Sequence, residues 1–412
     1  MREVNETRKN DKPAYVFTSE STTEGHPDKL CDQIADGIMD AILREDSEAR
    51  TAIEVTAADG FIHVFGEVST KARIDYKKVI KDIIYDIGYR ADELSMDGEF
   101  YRMLISINKQ SPDIALGVDK KEIGAGDQGM MFGYATDETE ELMPMTVVLA
   151  HKLCRRLAEV RKTGELPYLK PDGKAQVSLG YGKDHKPLSI EAIVVSTQHT
   201  EDVDIRKIRE DVMKHIILKV IPHELLTENT KVMINPTGRF VLGGPAADSG
   251  LTGRKIIVDT YGSKGRHGGG AFSGKDPTKV DRTGAYLTRY IAKNIVAARL
   301  ARECEVQVSY AIGIAKPVSF KADTFGTGKL PDEVLTEIIK ALIDMRPGTI
   351  IKSFGLKRPI YRQFAVYGHF GREKMLLDGA IEDTPWEMKD MVPILKKLAA
   401  DYLKKKGAID NE

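Results

Sequence analysis

The chain has 412 residues, with 61 Lys and Arg against 62 Asp and Glu, for a formal net charge of -1. Hydrophobic residues make up 42% and charged residues 30%, the balance of a folded chain rather than a disordered one. At about 100–200 residues per domain this length allows two to four domains, and no apolar run approaches the roughly 18 residues of a membrane span.

Residues 1–12 are polar and alternately charged, without the apolar stretch of a secretory signal, and read as a short disordered tail. From Pro27, the residues Leu30, Ile34, Ile38 and Ile42 recur at helical spacing, so a helix is expected over 27–44. Residues 51–70 read as two β-rich runs around Ala58-Asp59-Gly60. Helical spacing returns at Tyr76, Val79, Ile80, Ile83, Ile84 and Ile87 up to Gly88, and 100–107 closes the unit as a strand. The same order begins again at Pro144, with a helix to Thr163, strands near 174–181 and 188–196, and a helix near 202–219. A third copy has a helix from Gly284 to Glu303, strands near 305–314 and 317–325, and a helix opened by Pro331. The expected fold is α+β, three similar domains, each a mostly antiparallel sheet with helices on one face and the other face buried between units. Domains are placed at 13–112, 124–241 and 242–412.

Cys31, Cys154 and Cys304 are widely separated, lack metal-ligand spacing and fall in amphipathic stretches, so they read as buried thiols of a cytoplasmic protein. Two segments break the repeat. Asn108 to Gly129 is 22 residues with four glycines, and its centre, 113–123, reads as a mobile active-site loop or lid. Gly238 to Gly274 holds 11 of the 36 glycines, and its extension to Arg282 carries eight Lys and Arg against four Asp. Glycines admit backbone N–H groups to phosphate oxygens, and Arg239, Arg254, Lys255, Arg266, Lys275 and Lys279 supply the charge for a polyphosphate. Neither a Walker motif nor a GxGxxG opening a helix is present. An RNA-binding glycine-arginine segment is the competing interpretation, opposed by the neutral net charge and by Asp248, Asp259, Asp276 and Asp281. Those aspartates repel phosphate unless a cation intervenes, which points to magnesium. At 19–29, His26 and Asp28 stand at a helix start, where phosphate and its metal are favoured, although simple capping explains Asp28 equally well. In the hairpin Glu54 alternates away from Ile53 and Val55, while Glu67 ends the Phe61/His63/Phe65 side.

The strings Ser19-Glu20-Ser21, Glu24-Gly25-His26-Pro27-Asp28-Lys29, Gly124-Ala125-Gly126-Asp127-Gln128-Gly129, Asn235-Pro236-Thr237-Gly238-Arg239-Phe240 and Gly268 to Asp281 together resemble the S-adenosylmethionine synthetase (methionine adenosyltransferase) family, from about Tyr15 onward. The resemblance implies three domains about a pseudo-threefold axis and a cytoplasmic transferase joining L-methionine to the adenosyl group of ATP. It implies catalytic roles for His26, Lys174, Arg254 and Lys275. ATP would be bound by His26, Asp172, Lys174, Arg239, Phe240, Asp248, Arg254, Lys255, Ala271 and Lys275. Methionine would be bound by Glu67, Gln110, Asp127, Asp248 and Lys279. Asp28 and Asp281 would hold Mg2+, and Glu54 K+. It also implies a homodimer or a dimer of dimers, a homotetramer, with sites between chains, and neither nucleic acid nor membrane as partner. Ser263-Lys264-Gly265 and 113–122 are places where the family varies. A phosphotransferase that deprotonates an acceptor hydroxyl is the other enzymatic reading.

Overall fold

The computed structural model describes residues 12–95, 101–109 and 123–409. Residues 1–11 of the expected tail at 1–12, residues 113–122 of the loop centre at 113–123, and Gln110 lie outside these residues.

The chain begins with β1 (Tyr15–Thr22), α1 (Pro27–Glu45), β2 (Arg50–Ala58), β3 (Phe61–Ser69), α2 (Tyr76–Ile87) and β4 (Arg102–Asn108). The pattern repeats as β5 (Gly129–Thr136), α3 (Met145–Lys162), β6 (Leu169–Tyr181), β7 (Pro187–His199), α4 (Ile205–Val212) and β8 (Lys231–Ile234). It repeats again as β9 (Gly250–Leu251), α5 (Val280–Ala297), β10 (Glu303–Tyr310), β11 (Ser319–Asp323) and α6 (Asp332–Leu342). The tail of the chain adds α7 (Pro347–Phe354), the β12 (Lys374–Leu377) and β13 (Ala380–Asp383) hairpin, and α8 (Val392–Ile409).

Three sheets result, ordered β4-β3-β2-β9, β1-β6-β7-β8 and β11-β10-β5. Their pairs are antiparallel apart from β3 with β4 and β7 with β8. Each opening strand leaves its own repeat: β1 pairs with β6, β5 with β10, and β9 with β2. The exchange is cyclic, first repeat to second, second to third and third to first, so no sheet is built from one continuous stretch of chain. The helices α1, α3 and α5 follow the exchanged strands and pack on β2, on β1 and β6, and on β5 and β10 respectively. Each sheet thereby has its own apolar core on the helix side.

Several expectations are corrected. The third repeat's first helix was expected at 284–303 but runs from Val280 to Ala297; Arg299 takes a left-handed φ of 58° there, which ends helical hydrogen bonding and releases the chain into β10. The expected helix at 202–219 is α4 followed by a π-turn at Met213–Ile217. The opposite sheet faces are not buried between units of one chain. Val16, Leu104, Met130 and Met233 point outward and are 51%, 47%, 52% and 39% exposed. The three cysteines are free and buried, as expected. Among the described residues, no helix is long and apolar enough to cross a membrane.

Gly250 is where β9 meets α1. A Cβ there would stand 2.2 Å from the carbonyl oxygen of Pro27, a backbone atom that cannot turn aside. Gly250→Ala is therefore expected to cost about 1–3 kcal/mol, as overpacking does. Chemical denaturation would read this, and an unchanged midpoint would show that strand and helix need no such close approach.

Candidate active site

The glycine-rich segment is laid along the free edge of β2 and fastened at both ends. Gly250 and Leu251 pair with Ala57 and Thr56, and the Thr252 N–H donates to Val55 O at 3.0 Å. The segment returns with a bridge from Lys275 to Ala52, and the Ile53 N–H donates to Gly274 O at 3.1 Å. Gly274 has φ 80°, and a Cβ there would meet Ile53 O, so glycine is required at the return.

At the first fastening, the N-terminus of α1 supplies His26 as cap, its Nδ1 accepting from the Asp28 N–H at 3.2 Å. The Asp28 carboxylate accepts from Lys255 Nζ at 2.7 Å and from the Leu251 N–H at 3.1 Å, and Arg254 Nε lies 3.5 Å away. Asp172, on β6, accepts from the Gly244 N–H at 2.8 Å, and its Oδ1 is buried without a hydrogen-bond partner. Lys174, also on β6, faces outward, and its charge acts on both His26 and Asp172. Asp248 is exposed in the turn after Gly244. Gln198 links this group to the 239–244 stretch, donating to Val241 O and accepting from the Asp172 N–H. In that stretch Phe240 is half-buried against His199, and Arg239 is exposed and paired with Glu201 at 2.6 Å.

At the second fastening, Lys275 forms an ion pair with Asp281 in the first turn of α5. Gly270 lies against the Asp281 carboxylate, and His267, Gly268 and Gly270 line a small cleft with it. Lys279 caps α5 and is held by the buried Asp276. Ala271 packs against Gly253 and so joins the two groups. Glu54 lies between them, accepting from Thr252 Oγ1. Glu67 is exposed at the end of β3, in one row with Ala52 and Lys275, roughly 10 Å from the latter at two strand spacings. Asp127 is exposed, two residues before Gly129, which borders Asp281.

Electrostatics separates these groups by role. Burial, helped by Lys255 and Lys174, lowers His26 to about 3, so its ring is a neutral hydrogen-bonding group. Burial works against ionised Asp28, but the bonds from Lys255 and Leu251 outweigh it and hold the carboxyl below its usual range. Burial pushes Asp172 up to about 6, partly relieved by the Gly244 N–H and Lys174. Burial also raises Glu54 despite Thr252 and Lys275. The groove thus sets cations among carboxylates, and its imidazole holds no transferable proton near neutrality. The His26 ring is accordingly expected not to titrate between pH 5 and 8 by NMR, with the signal assigned through His26→Asn. An unfolded imidazole titrates near 6.5, so the stability contributed by neutral His26 is present above that value and is lost as pH falls toward 3. A midpoint near 6 in the folded protein would refute the buried, neutral assignment.

Sequence reasoning missed the groups beneath the groove. Asp32 Oδ1 accepts from the Gly253 N–H at 3.0 Å, and Asp36 Oδ1 from the Gly274 N–H at 2.8 Å. Lys29 is buried between Asp32 and Asp259. The available signal was the recurrence of Asp at 28, 32, 36 and 40, one helical face of a helix otherwise rich in apolar residues.

Comparison with known proteins places the chain in a family. The S-adenosylmethionine synthetase N-terminal domain model matches residues 14–112, the central domain model 122–240 and the C-terminal domain model 242–387. An S-adenosylmethionine synthase of Clostridium tetani is 55% identical over 395 residues, covering 93% of this chain and 99% of the relative. With all three domain models matched in order, the chain belongs to the S-adenosylmethionine synthetase family, a methionine adenosyltransferase that makes S-adenosylmethionine.

Proposed function

We propose that the methionine sulfur attacks C5′ of ATP in this groove, forming the S–C5′ bond as the C5′–O bond breaks and its electron pair leaves with tripolyphosphate. Hydrolysis of tripolyphosphate to pyrophosphate and phosphate follows in the same site. The observation that carries this reading is the seating of Arg254, Lys255 and Lys275 on one glycine-rich rail fastened to β2. A thioether has no proton to lose, so the reaction needs alignment and stabilisation of a leaving anion rather than a general base. A neutral His26 fits this need, since it donates a hydrogen bond to the breaking C5′–O oxygen without adding a proton to it. Arg254, Lys255, Lys174 and Lys275 offset charge growing on the triphosphate. Asp172, with its unpartnered buried oxygen, and Arg239, Phe240, Asp248 and Ala271 hold the rest of ATP. Glu67, Asp127, Asp248 and Lys279 receive methionine, whose ammonium suits the carboxylates and whose carboxylate suits the lysine.

Magnesium is assigned to Asp28 and Asp281, and potassium to Glu54. Among the described residues no three acidic, His or Cys side chains converge as a metal cage. That fits magnesium, which binds through one or two carboxylates and completes its shell with phosphate oxygens and water. Glu54 with Thr252 offers the oxygen donors that suit a monovalent cation. The bound ions supply positive charge beside the phosphate oxygens. Free, buried cysteines support a reducing, cytoplasmic setting.

One assay tests the reaction. Incubation with ATP, methionine, magnesium and potassium should yield sulfonium product, pyrophosphate and phosphate in equal amounts, and Asp28→Asn and Asp281→Asn should weaken magnesium activation far more than they weaken folding. Accumulation of ADP with a phosphorylated acceptor would refute it.

Self-association belongs to the same proposal. Outward Val16, Leu104, Met130 and Met233, spread over the three sheets, offer exposed apolar surface to a second copy. Sedimentation should show a dimer or a dimer of dimers, with Leu104→Glu shifting it toward monomer and lowering turnover at least tenfold. A fully active monomer would exclude sites shared between chains.

A further inference from the structure

Two fully buried side chains reach no groove surface, Asp36 of α1 and Arg282 of α5. Their ion pair is 2.6 Å between Arg282 Nη2 and Asp36 Oδ2. The other oxygen of Asp36 accepts from the Gly274 N–H at 2.8 Å, and Arg282 Nη1 donates to Lys275 O at 3.0 Å. These contacts close a ring. Asp36 holds the amide just before Lys275, Arg282 holds the carbonyl of Lys275 itself, and the two clamps are bonded to each other. A second restraint on the guanidinium comes from the Tyr361 ring, 4.5 Å from its central carbon.

We propose that the buried Asp36–Arg282 pair is a positioning device that fixes the backbone of Lys275 before substrate arrives, so that its ammonium stands ready for the triphosphate. The inference rests on the reaction proposed above and deepens it by assigning roles to residues that never touch ATP. Its physical basis is preorganisation: a cation held in place by the fold spends no binding free energy on ordering the loop that carries it. The fork of arginine matters, because Nη2 meets the carboxylate while Nη1, a separate atom, reaches the carbonyl; a shorter lysine donates from one nitrogen, which cannot stand at both positions, so it keeps the ion pair and gives up the second contact. The neighbouring Asp32 repeats the arrangement on a smaller scale, holding the Gly253 N–H just before Arg254, with Lys29 as its cation.

The test is Arg282→Lys, which keeps the buried charge balanced. Tripolyphosphate binding, measured by calorimetry well below the melting temperature, should weaken about tenfold, and the methionine KM should stay within twofold. In a Lys275→Ala background the same Arg282→Lys change should cost nothing further, because the clamp acts through Lys275. A merely structural role predicts equal losses in both backgrounds and in both substrates, and that result overturns the proposal. A measurement on the unaltered protein stands beside it, independent of how any variant folds. The Gly274 amide should be protected from hydrogen exchange in the free protein as strongly as with tripolyphosphate bound; protection that appears only with ligand overturns preorganisation. Failure of the unaltered protein to bind tripolyphosphate would overturn the proposed function and this inference together, whereas binding that Arg282→Lys leaves intact overturns only the inference.

Discussion

One buried stripe of carboxylates organises the groove. Asp28, Asp32, Asp36 and Asp40 recur every four residues on α1 and so lie one above another on a single face. Burying a carboxylate costs several kcal/mol unless donors and a cation replace its water. The donors come from two distant parts of the chain, the N–H groups of Leu251, Gly253 and Gly274 in one and of Tyr361 and Arg362 in the other. Cations complete the balance unevenly. Lys255 meets Asp28, Lys29 meets Asp32 and Arg282 meets Asp36. At Asp40, where backbone N–H groups are the direct partners, burial wins and pushes the carboxyl up to about 7. The stripe acts as a ruler for the glycine-rich segment: at 1.5 Å per residue, the fastenings at Asp28 and Asp36 are about 12 Å apart along the helix.

This explains why the segment needs so many glycines and yet is not slack. A Cβ at Gly250 would meet Pro27 O on α1, and one at Gly274 would meet Ile53 O on β2, so the segment lies this close to both elements only where it has no side chain. The freedom that glycine confers on the unfolded chain is removed in the folded one by bonds to both α1 and β2. Charged side chains then project from a backbone whose position is set twice over.

Much of this architecture was legible in the sequence, and the parts that were not share a cause. The hairpins β2–β3, β6–β7 and β10–β11 and the helices beside them declared themselves, because each carries its own apolar periodicity and meets its partner nearby in the chain. The strands β1, β5, β8 and β9 did not. Three of them pair with another repeat's sheet, and β9 has only two residues, so nothing local marks them as strands. At the site, His26, Asp28, Lys255 and Lys275 were legible from residue type, glycine spacing and motif order. Asp36 and Arg282 were not, since a charged residue in an amphipathic helix reads as solvent-facing until the partner that buries it, 246 positions away, is known.

The cyclic exchange of strands also bears on how the chain is made. The first sheet lacks its edge strand until Gly250 and Leu251 have been synthesised, and the second is seeded by a strand that left the ribosome about 150 residues before the hairpin it joins. The order of synthesis therefore differs from the order of completion: the second sheet has all its strands by Ile234, before the first acquires β9. A nascent first repeat keeps one edge of β2 open, with its backbone groups unpaired, from Ala58 until Gly250, nearly half the length of the chain. Such an edge is a template for a neighbouring nascent chain on the same messenger, so the arrangement that seats the glycine-rich rail in the finished enzyme makes its biogenesis sensitive to translation speed and to whatever shields that edge in the interval.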